Sequence, residues 1–436
     1  MVSGRVLTDD QHCEVARTGN GGQFGLLYTM SATPSPTPNA LSLNVPVTAF
    51  ALLVLAGGAI ALGMQDIHSS GVLLVLGGAL GLTLYHAMFG FTSAWRVFIA
   101  DGRGAGLRAQ MLMLGIATVL FLPALSEGTL FGRSIVGAVA PIGVSLLFGS
   151  FLFGLGMQLG GGCGSGTLFT VGGGSVRMLV TLAFFVLGSL IGSAHVPWWF
   201  EQPSLGSFSL LNEWGLGTAI VVQLGVFVLI AIVTVVIERR RHPAPGLQSN
   251  PAPQAVAVPM TSRLLSGPWP LLFGAVLLAV LNWLTLGTAG HPWGVTYGFT
   301  LWGAKLASLL GIDVAAWEFW TWSYHSKALA GSIFSNTTSV MNFGVMLGAL
   351  LAAGLSGKFA PSFSIPRASL LAAALGGLAM GYGARLAFGC NIGAYFGGIA
   401  SASLHGWIWF AMAMLGSVLG TWLRPRFGLT VEKSAS

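Results

Sequence analysis

Apolar runs of about 20 residues recur along the chain, separated by short polar or glycine-rich segments. A helix of about 20 residues is long enough to cross the hydrocarbon core of a bilayer. The runs are unbroken, whereas the strands of a membrane barrel alternate in polarity over about 10 residues. The pattern therefore predicts an all-α polytopic membrane protein with about ten transmembrane helices, at residues 43–63, 71–91, 107–125, 137–159, 178–194, 217–237, 271–290, 340–355, 369–388 and 406–423.

The composition supports this class, because 54% of the residues are hydrophobic and only 7% are charged. A soluble domain of this length could not cover its surface with so few charged side chains. The formal net charge is +7. In a membrane protein, basic residues indicate the orientation in the bilayer before they indicate nucleic-acid binding. We therefore expect the lipid bilayer as a partner, and no nucleic acid.

The basic residues are distributed unevenly between the two sides of the membrane. If all ten predicted spans cross, fifteen of the 19 Lys and Arg residues lie on one side, Arg133, Lys305 and Lys327 lie on the other, and Arg385 lies within a span. Cytoplasmic loops carry the excess of Lys and Arg. The sequence thus predicts a multi-pass protein of the cell inner (plasma) membrane, with both termini in the cytoplasm.

The predicted spans form two membrane halves joined by polar segments. We expect a cytoplasmic N-terminal tail (1–42), an extra N-terminal span (43–70), a first membrane half (71–237), a cytoplasmic linker (238–270), a second membrane half (271–424) and a cytoplasmic tail (425–436). The cysteines Cys13, Cys163 and Cys390 show neither a CxxC motif nor zinc-ligand spacing. The nucleotide-binding motif GxxxxGK[ST] is also missing from the sequence. No metal or other cofactor is expected.

Two segments, residues 160–167 and 388–393, each place a cysteine among glycines. An offset of 227 residues puts Cys163 on Cys390. The same offset matches Gly149 with Gly376, Gly154 with Gly381, Gly156 with Gly383, Gly162 with Gly389 and Gly166 with Gly393. After one inserted residue, LGSLIGS at 187–193 matches LGSVLGT at 415–421. The predicted spans before the two cysteines cross in opposite directions, so the sequence predicts two inverted repeats. Such repeats place a substrate site at their interface, near the middle of the membrane.

A stretch after each cysteine, residues 164–177 and 391–405, is too long for a turn and too short to cross. We expect two re-entrant half-helices, with Ser165 or Thr167 and Asn391 as N-cap residues. The free N–H groups of a helix N-terminus attract anions. Arg385 is costly in lipid and should face protein or a cavity. The predicted substrate-binding residues are Cys163, Cys390, Gly162, Gly164, Ser165, Gly389, Asn391 and Arg385.

The GGGCGSGT and FGCNIGA segments, each followed by a short apolar stretch and an LGS-type helix, resemble the YeeE/YedE family of sulfur-compound permeases. The resemblance implies two pseudo-symmetric halves, an hourglass shape and cysteines that pass thiosulfate inward through S–H to sulfur hydrogen bonds. Cys163 and Cys390 would be two of these relay cysteines. The family has a further cysteine in a pattern like C-x-T-x-x-aromatic-Arg, and Gly90 stands at that position in the segment 90–96.

Three functions are compatible with these features. The first is a permease for a small sulfur-containing anion, with a cytoplasmic thiol-carrier (sulfurtransferase) protein as a further candidate partner. The second is a membrane thiol enzyme, an oxidoreductase or sulfurtransferase, which the missing CxxC motif and the missing acid-base partners argue against. The third is a passive anion channel or a structural membrane subunit, in which both cysteines would be small buried hydrophobic residues. We expect the permease and no enzyme activity.

Overall fold

The computed structural model of the protein describes residues 43–65, 68–242 and 260–431. The predicted N-terminal tail with Cys13, most of the predicted linker and the last residues of the predicted C-terminal tail lie outside these ranges. Helices make up most of the described ranges, and the strands there are short.

The α-helices of the described ranges are α1 (Val45–Met64), α2 (His68–His86), α3 (Phe91–Asp101), α4 (Ala105–Glu127), α5 (Val144–Gly160), α6 (Gly164–Gly172), α7 (Val176–Phe200), α8 (Leu210–Arg241), α9 (Met260–Ser266), α10 (Leu271–Ala289), α11 (Thr296–Leu309), α12 (Glu318–Thr321), α13 (Ser323–Ala330), α14 (Thr337–Leu355), α15 (Arg367–Leu386), α16 (Gly397–Ala400) and α17 (Leu404–Leu423). Short 3-10 helices lie at Val314–Ala316, Ile333–Ser335 and Arg424–Phe427. A π-helix (Asn391–Phe396) leads directly into α16. Strand β1 (Thr129–Leu130) pairs antiparallel with β2 (Arg133–Ser134), and β3 (Pro141–Gly143) pairs antiparallel with β4 (Ser204–Ser207).

Ten helical segments in these ranges are long and apolar enough to cross a membrane. They are Val45–Met64, Ser70–Asp101, Ala105–Glu127, Val144–Gly172, Val176–Phe200, Leu210–Arg241, Leu271–Ala289, Thr337–Leu355, Arg367–Ala400 and Leu404–Phe427. Each overlaps one predicted span, so the prediction of an all-α polytopic membrane protein with ten spans is confirmed. The predicted span 137–159 begins later, at Val144, because Pro141–Gly143 form a strand rather than the start of a helix.

Helices α5 and α15, which precede the two cysteines, pack closely and antiparallel. A Cβ atom on Gly149 would lie 2.7 Å from the carbonyl oxygen of Gly383, and one on Gly156 would lie 2.8 Å from that of Gly376. The order of the contacts is reversed between the helices, so they run in opposite directions. Glycine allows this approach, which drives helix association in lipid. The offset of 227 residues exchanges the two contacts, because it carries Gly149 to Gly376 and Gly156 to Gly383.

The neighbouring helix pairs, α15 with α7 and α5 with α17, also make matching contacts. The hydroxyl of Ser189 on α7 donates to the carbonyl oxygen of Gly381 on α15 at 3.4 Å. The hydroxyl of Ser417 on α17 donates to the carbonyl oxygen of Gly154 on α5 at 3.2 Å. These four residues are equivalent pairs in the sequence register. The two related segments therefore pack against each other through the same hydrogen bond, made twice.

The extra first helix, α1, lies against α14. The Asn44 backbone N–H donates to the carbonyl oxygen of Gly354 at 2.9 Å. Helix α8 continues through Arg241, into the predicted linker. Its Glu238 carboxylate accepts a hydrogen bond from the Arg108 guanidinium at 2.6 Å and so holds the start of α4.

Candidate functional site

The two thiols of the described ranges are buried and free of disulfide bonds. Cys163 is directly followed by α6, and Cys390 is directly followed by the π-helix. The Cys390 Sγ atom lies 3.1 Å from the position that a Cβ atom would take on Gly164, the residue after Cys163. The missing side chain at Gly164 therefore lets the Cys390 thiol approach the start of α6. The structure brings the two predicted cysteine segments together at one place.

The N-cap prediction for these helices was wrong. The N-cap residues are Cys163 and Cys390, both with extended backbone geometry. The Cys163 carbonyl oxygen accepts the first hydrogen bond of α6, from the Thr167 N–H at 2.8 Å. Ser165 lies inside the helix with its Oγ atom 3.5 Å from the Cys163 Sγ atom. Sequence preference alone missed this arrangement, because the N-cap residue of each helix lies one or two residues before the first hydroxyl or amide side chain.

Gly162 and Gly389 shape the backbone before each helix. Gly389 has a φ angle of +145°, a conformation that L side chains rarely adopt. A Cβ atom on Gly162 would lie 3.0 Å from the Cε atom of Met178 and 3.1 Å from the backbone carbon of Gly166. These contacts explain the two glycines as turn residues. At Gly162 and Gly389 the site can offer a ligand only backbone groups.

Asn391 is the polar side chain closest in sequence to Cys390, and it is fully buried. Its Oδ1 and Nδ2 atoms have no hydrogen-bond partner among residues 43–65, 68–242 and 260–431. An unsatisfied buried polar group costs about 1–3 kcal/mol. Such a group needs an explanation, and a bound ligand or water supplies one. Asn391 is therefore available to bind a polar ligand beside the Cys390 thiol.

The segment between α10 and α11 also borders the site, and sequence reasoning missed it. The Cγ1 atom of Val295 lies 3.3 Å from the position of a Cβ atom on Gly164. Two buried amides hold this segment. The Asn342 Nδ2 group donates to the Val295 carbonyl oxygen at 2.9 Å, and the Asn282 Oδ1 atom accepts from the Trp293 N–H at 3.1 Å. Both Asn residues lie in predicted spans, where a polar side chain is a usable indication of a site.

The end of α5, just before Cys163, is held by an arginine. The Arg177 guanidinium donates to the carbonyl oxygens of Gly160 at 2.7 Å and Leu159 at 2.8 Å. The last carbonyl groups of a helix have no partner within it. Arg177 supplies that partner and fixes where the glycine-rich segment begins. In the sequence, Arg177 is only one of the fifteen basic residues on the predicted cytoplasmic side.

Arg385 lies half-buried at the end of α15, five residues before Cys390. Its guanidinium carbon is 5.8 Å from the centre of the Tyr297 ring. Gly192 on α7 leaves room for its stem, because a Cβ atom there would lie 2.9 Å from the Arg385 Cβ atom. The Nε atom has no hydrogen-bond partner in the described part of the chain. Arg385 is thus a charged donor that the protein itself does not fully satisfy.

His325 lies beside this arginine and is uncharged at neutral pH. Its Nδ1 atom is 3.0 Å from the Tyr297 hydroxyl. Burial, and then the positive charge of Arg385, lower the pKa of His325 from 6.5 to about 4. Burial also raises the pKa of the Tyr297 hydroxyl. Near neutral pH the positive charge of this cluster therefore comes from Arg385.

Metal ligation is not indicated in the part of the chain that the structure describes, where no group of three or more His, Cys, Asp or Glu side chains could hold an ion. The fold and the site together define a multi-pass membrane protein with a buried site of thiols and amides. A sequence profile for sulphur transport proteins matches residues 86–419. The chain belongs to this sulphur transport family, as the resemblance had predicted.

Several proteins of known name are similar to this chain. A thiosulfate transporter, TsuA of Spirochaeta thermophila, is 26% identical over 360 residues, which is 80% of this chain and 96% of that protein. The thiosulfate transporter TsuA of Escherichia coli is 24% identical over 362 residues, 80% of this chain and 93% of that protein. The probable transporter YedE of Escherichia coli is 32% identical over 161 residues, 37% of this chain. That match spans only 38% of YedE's own length.

Proposed function

We propose that this protein is a permease that carries a small sulfur-containing anion of the thiosulfate type across the inner membrane. The observation that supports it best is the position of the Cys390 thiol against the residue that follows Cys163. One anion could contact both thiols there. The names of the two TsuA relatives, which this chain matches over most of their length, support thiosulfate as the substrate.

In this proposal the thiols pass the anion along the path by hydrogen bonds. A thiol is a weak donor. A transport site must bind its substrate loosely enough to release it. Asn391 would contribute a buried amide, and the N–H groups at the start of α6 and of the π-helix would contribute positive potential. Because each group binds the anion weakly, the anion can move from one group to the next.

We place this path at the interface of two inverted repeats, with both termini and the linker in the cytoplasm and with α6 and the π-helix as re-entrant half-helices. The antiparallel crossing of α5 and α15 and the twice-made serine hydrogen bond support the inverted arrangement. The positive-inside rule supports the orientation. On that orientation Arg385 lies toward the outer side of Cys390 and would capture the anion first.

The proposal is for a transporter and not an enzyme, which the transporter names of the relatives support. A saturable rate would distinguish it from a passive channel. The cytoplasmic thiol-carrier protein remains a prediction. Co-purification of a sulfurtransferase with the membrane-embedded chain would test it.

The test is uptake of labelled thiosulfate and sulfate by cells that rely on this protein for sulfur. We expect thiosulfate uptake that saturates with concentration and that unlabelled thiosulfate inhibits. Cells that carry an empty vector are the control. Equal uptake in the two kinds of cell, with the protein present in the membrane, would contradict the proposal.

A further inference from the structure

A cavity of about 270 Å³ lies at the start of α3, between α4 and the first residue of α10. Gly90, Ser93, Arg103 and Gln110 line it, together with apolar side chains. It lies on the side of the membrane that the charge bias predicts to be cytoplasmic. A cavity of this size has room for a small anion or several waters. Which of these it binds depends on the polar groups that line it.

Gln110 brings an unsatisfied amide to this cavity, although it is only 1% exposed. Its Oε1 atom accepts from the Trp95 indole N–H at 2.9 Å and is 3.4 Å from the Tyr395 hydroxyl. These two donors fix the orientation of the amide. Its Nε2 group is left without a hydrogen-bond partner among the described residues. Such a group is costly to bury, and a ligand or a water in the cavity would supply its missing partner.

Ser93 adds a second donor, at a place that a side chain on residue 90 would otherwise fill. A Cβ atom on Gly90 would clash with its hydroxyl oxygen, and the hydroxyl donates to the Gly90 carbonyl oxygen at 3.2 Å. The hydroxyl can rotate toward a ligand. Arg103 stands at the rim, 55% exposed, with its Nε atom 2.9 Å from the Asp101 carboxylate. The cavity therefore offers N–H and O–H donors, beside an arginine whose charge is paired with Asp101.

We propose that this cavity is a second anion site, which binds the oxygen atoms of a sulfur oxyanion through Gln110 and Ser93. The inference rests on the proposed transport function. It describes how the anion would be bound after it leaves the cysteine site on its way to the cytoplasm. Amide and hydroxyl donors prefer oxygen acceptors, whereas thiols also suit sulfur. The two sites are connected, because Tyr395 contacts Gln110 and belongs to the π-helix that follows Cys390.

The preference for oxygen gives this site a distinct signature. Sulfate and thiosulfate both present oxygen atoms, and only thiosulfate presents a terminal sulfur. Loss of Ser93 or Gln110 should weaken the binding of both anions equally. Loss of Cys163 or Cys390 should weaken the binding of thiosulfate more than that of sulfate. A merely structural role for Gln110 predicts weaker binding in a Gln110 variant alone, with binding by a Ser93 variant unchanged.

The experiment measures equilibrium binding of labelled sulfate and labelled thiosulfate to the purified full chain in lipid nanodiscs. The variants are Ser93→Ala and Gln110→Met, and the matched control is Gln223→Met. Gln223 is also 1% exposed and without partners for its amide in the described ranges, but it does not line the cavity. We expect each cavity variant to raise the Kd for both anions about tenfold, the worth of one lost hydrogen bond to a charged group. The control should leave both values unchanged.

Ser93→Ala decides the outcome even where Gln110→Met fails to fold, because the Ser93 hydroxyl bonds to the Gly90 carbonyl oxygen whereas Trp95 and Tyr395 bond to Gln110. Unchanged Kd values in Ser93→Ala would overturn the inference, as would a wild-type chain that binds neither anion, in which case the cavity holds water only. Uptake reports separately on the proposed function. Binding without uptake would contradict the proposed permease function but would still support the second anion site. Uptake by the wild-type chain with unchanged Kd values in the cavity variants would support the permease function and contradict the second anion site.

Discussion

The Cys390 thiol and Gly164 are in contact, with the Sγ atom 3.1 Å from the position of a Cβ atom on Gly164. Residues far apart in the chain thus form one small site, and the size of residue 164 sets how closely the thiol can approach it. Gly166, two residues further along α6, is different. A Cβ atom there would lie 3.5 Å from the Cys163 Sγ atom, an ordinary van der Waals distance.

Gly164→Ala should therefore impair transport, because the new methyl group would displace the Cys390 thiol. Overpacking of this kind costs about 1–3 kcal/mol. We expect thiosulfate uptake to fall about tenfold or more. Gly166→Ala is the matched control and should keep most of the uptake. Equal uptake by the two variants at equal amounts in the membrane would show that the contact has no role.

Ser189→Ala and Ser417→Ala should have equal effects on stability, because each removes the same hydrogen bond between equivalent helices. Hydrogen bonds between membrane helices contribute about 0.6 kcal/mol on average. Ser150→Ala is the control, since that hydroxyl bonds to a carbonyl oxygen of its own helix. Thermal unfolding of the purified variants measures the effects. A large loss in one serine variant and none in the other would argue against matched repeats.

Arg385→Gln should weaken capture of the anion more than its later transfer. The substitution removes the charge of the Tyr297 and His325 cluster. We expect KM for thiosulfate uptake to rise about tenfold, the worth of a charge-assisted hydrogen bond, with a smaller change in the maximal rate. Arg133→Gln, at an exposed arginine, controls for general charge effects. An unchanged KM in Arg385→Gln would remove Arg385 from the binding site.

His325 should make the folded protein sensitive to acid. Its pKa is lowered to about 4 in the folded state, whereas an unfolded His has a pKa of about 6.5. The unfolded state therefore binds the proton first as the pH falls, and stability is lost between pH 6.5 and 4. His325→Phe keeps a ring against Phe319 and should show a shallower fall in Tm over that range. Parallel Tm profiles for wild type and variant would contradict this assignment.

The sequence was sufficient for the membrane helices and for pairing the two segments around Cys163 and Cys390. Long apolar runs leave few alternatives in lipid, and an offset of 227 residues is visible without coordinates. Other features were not predictable. The N-cap positions of Cys163 and Cys390 depend on backbone geometry, which side-chain preference does not set. The Val295 contact depends on tertiary packing between distant residues, as does the place of the Ser93 hydroxyl.

The most direct test of the proposed mechanism compares thiosulfate uptake by Cys163→Ser, Cys163→Ala, the same two changes at Cys390, and the double alanine variant. Serine keeps a donor with a harder atom, and alanine removes the donor with little change in volume. The thiol relay predicts reduced uptake in every variant, with the larger loss for alanine and almost none left in the double variant, at normal amounts of protein in the membrane. Uptake at the wild-type rate by the double alanine variant would contradict it.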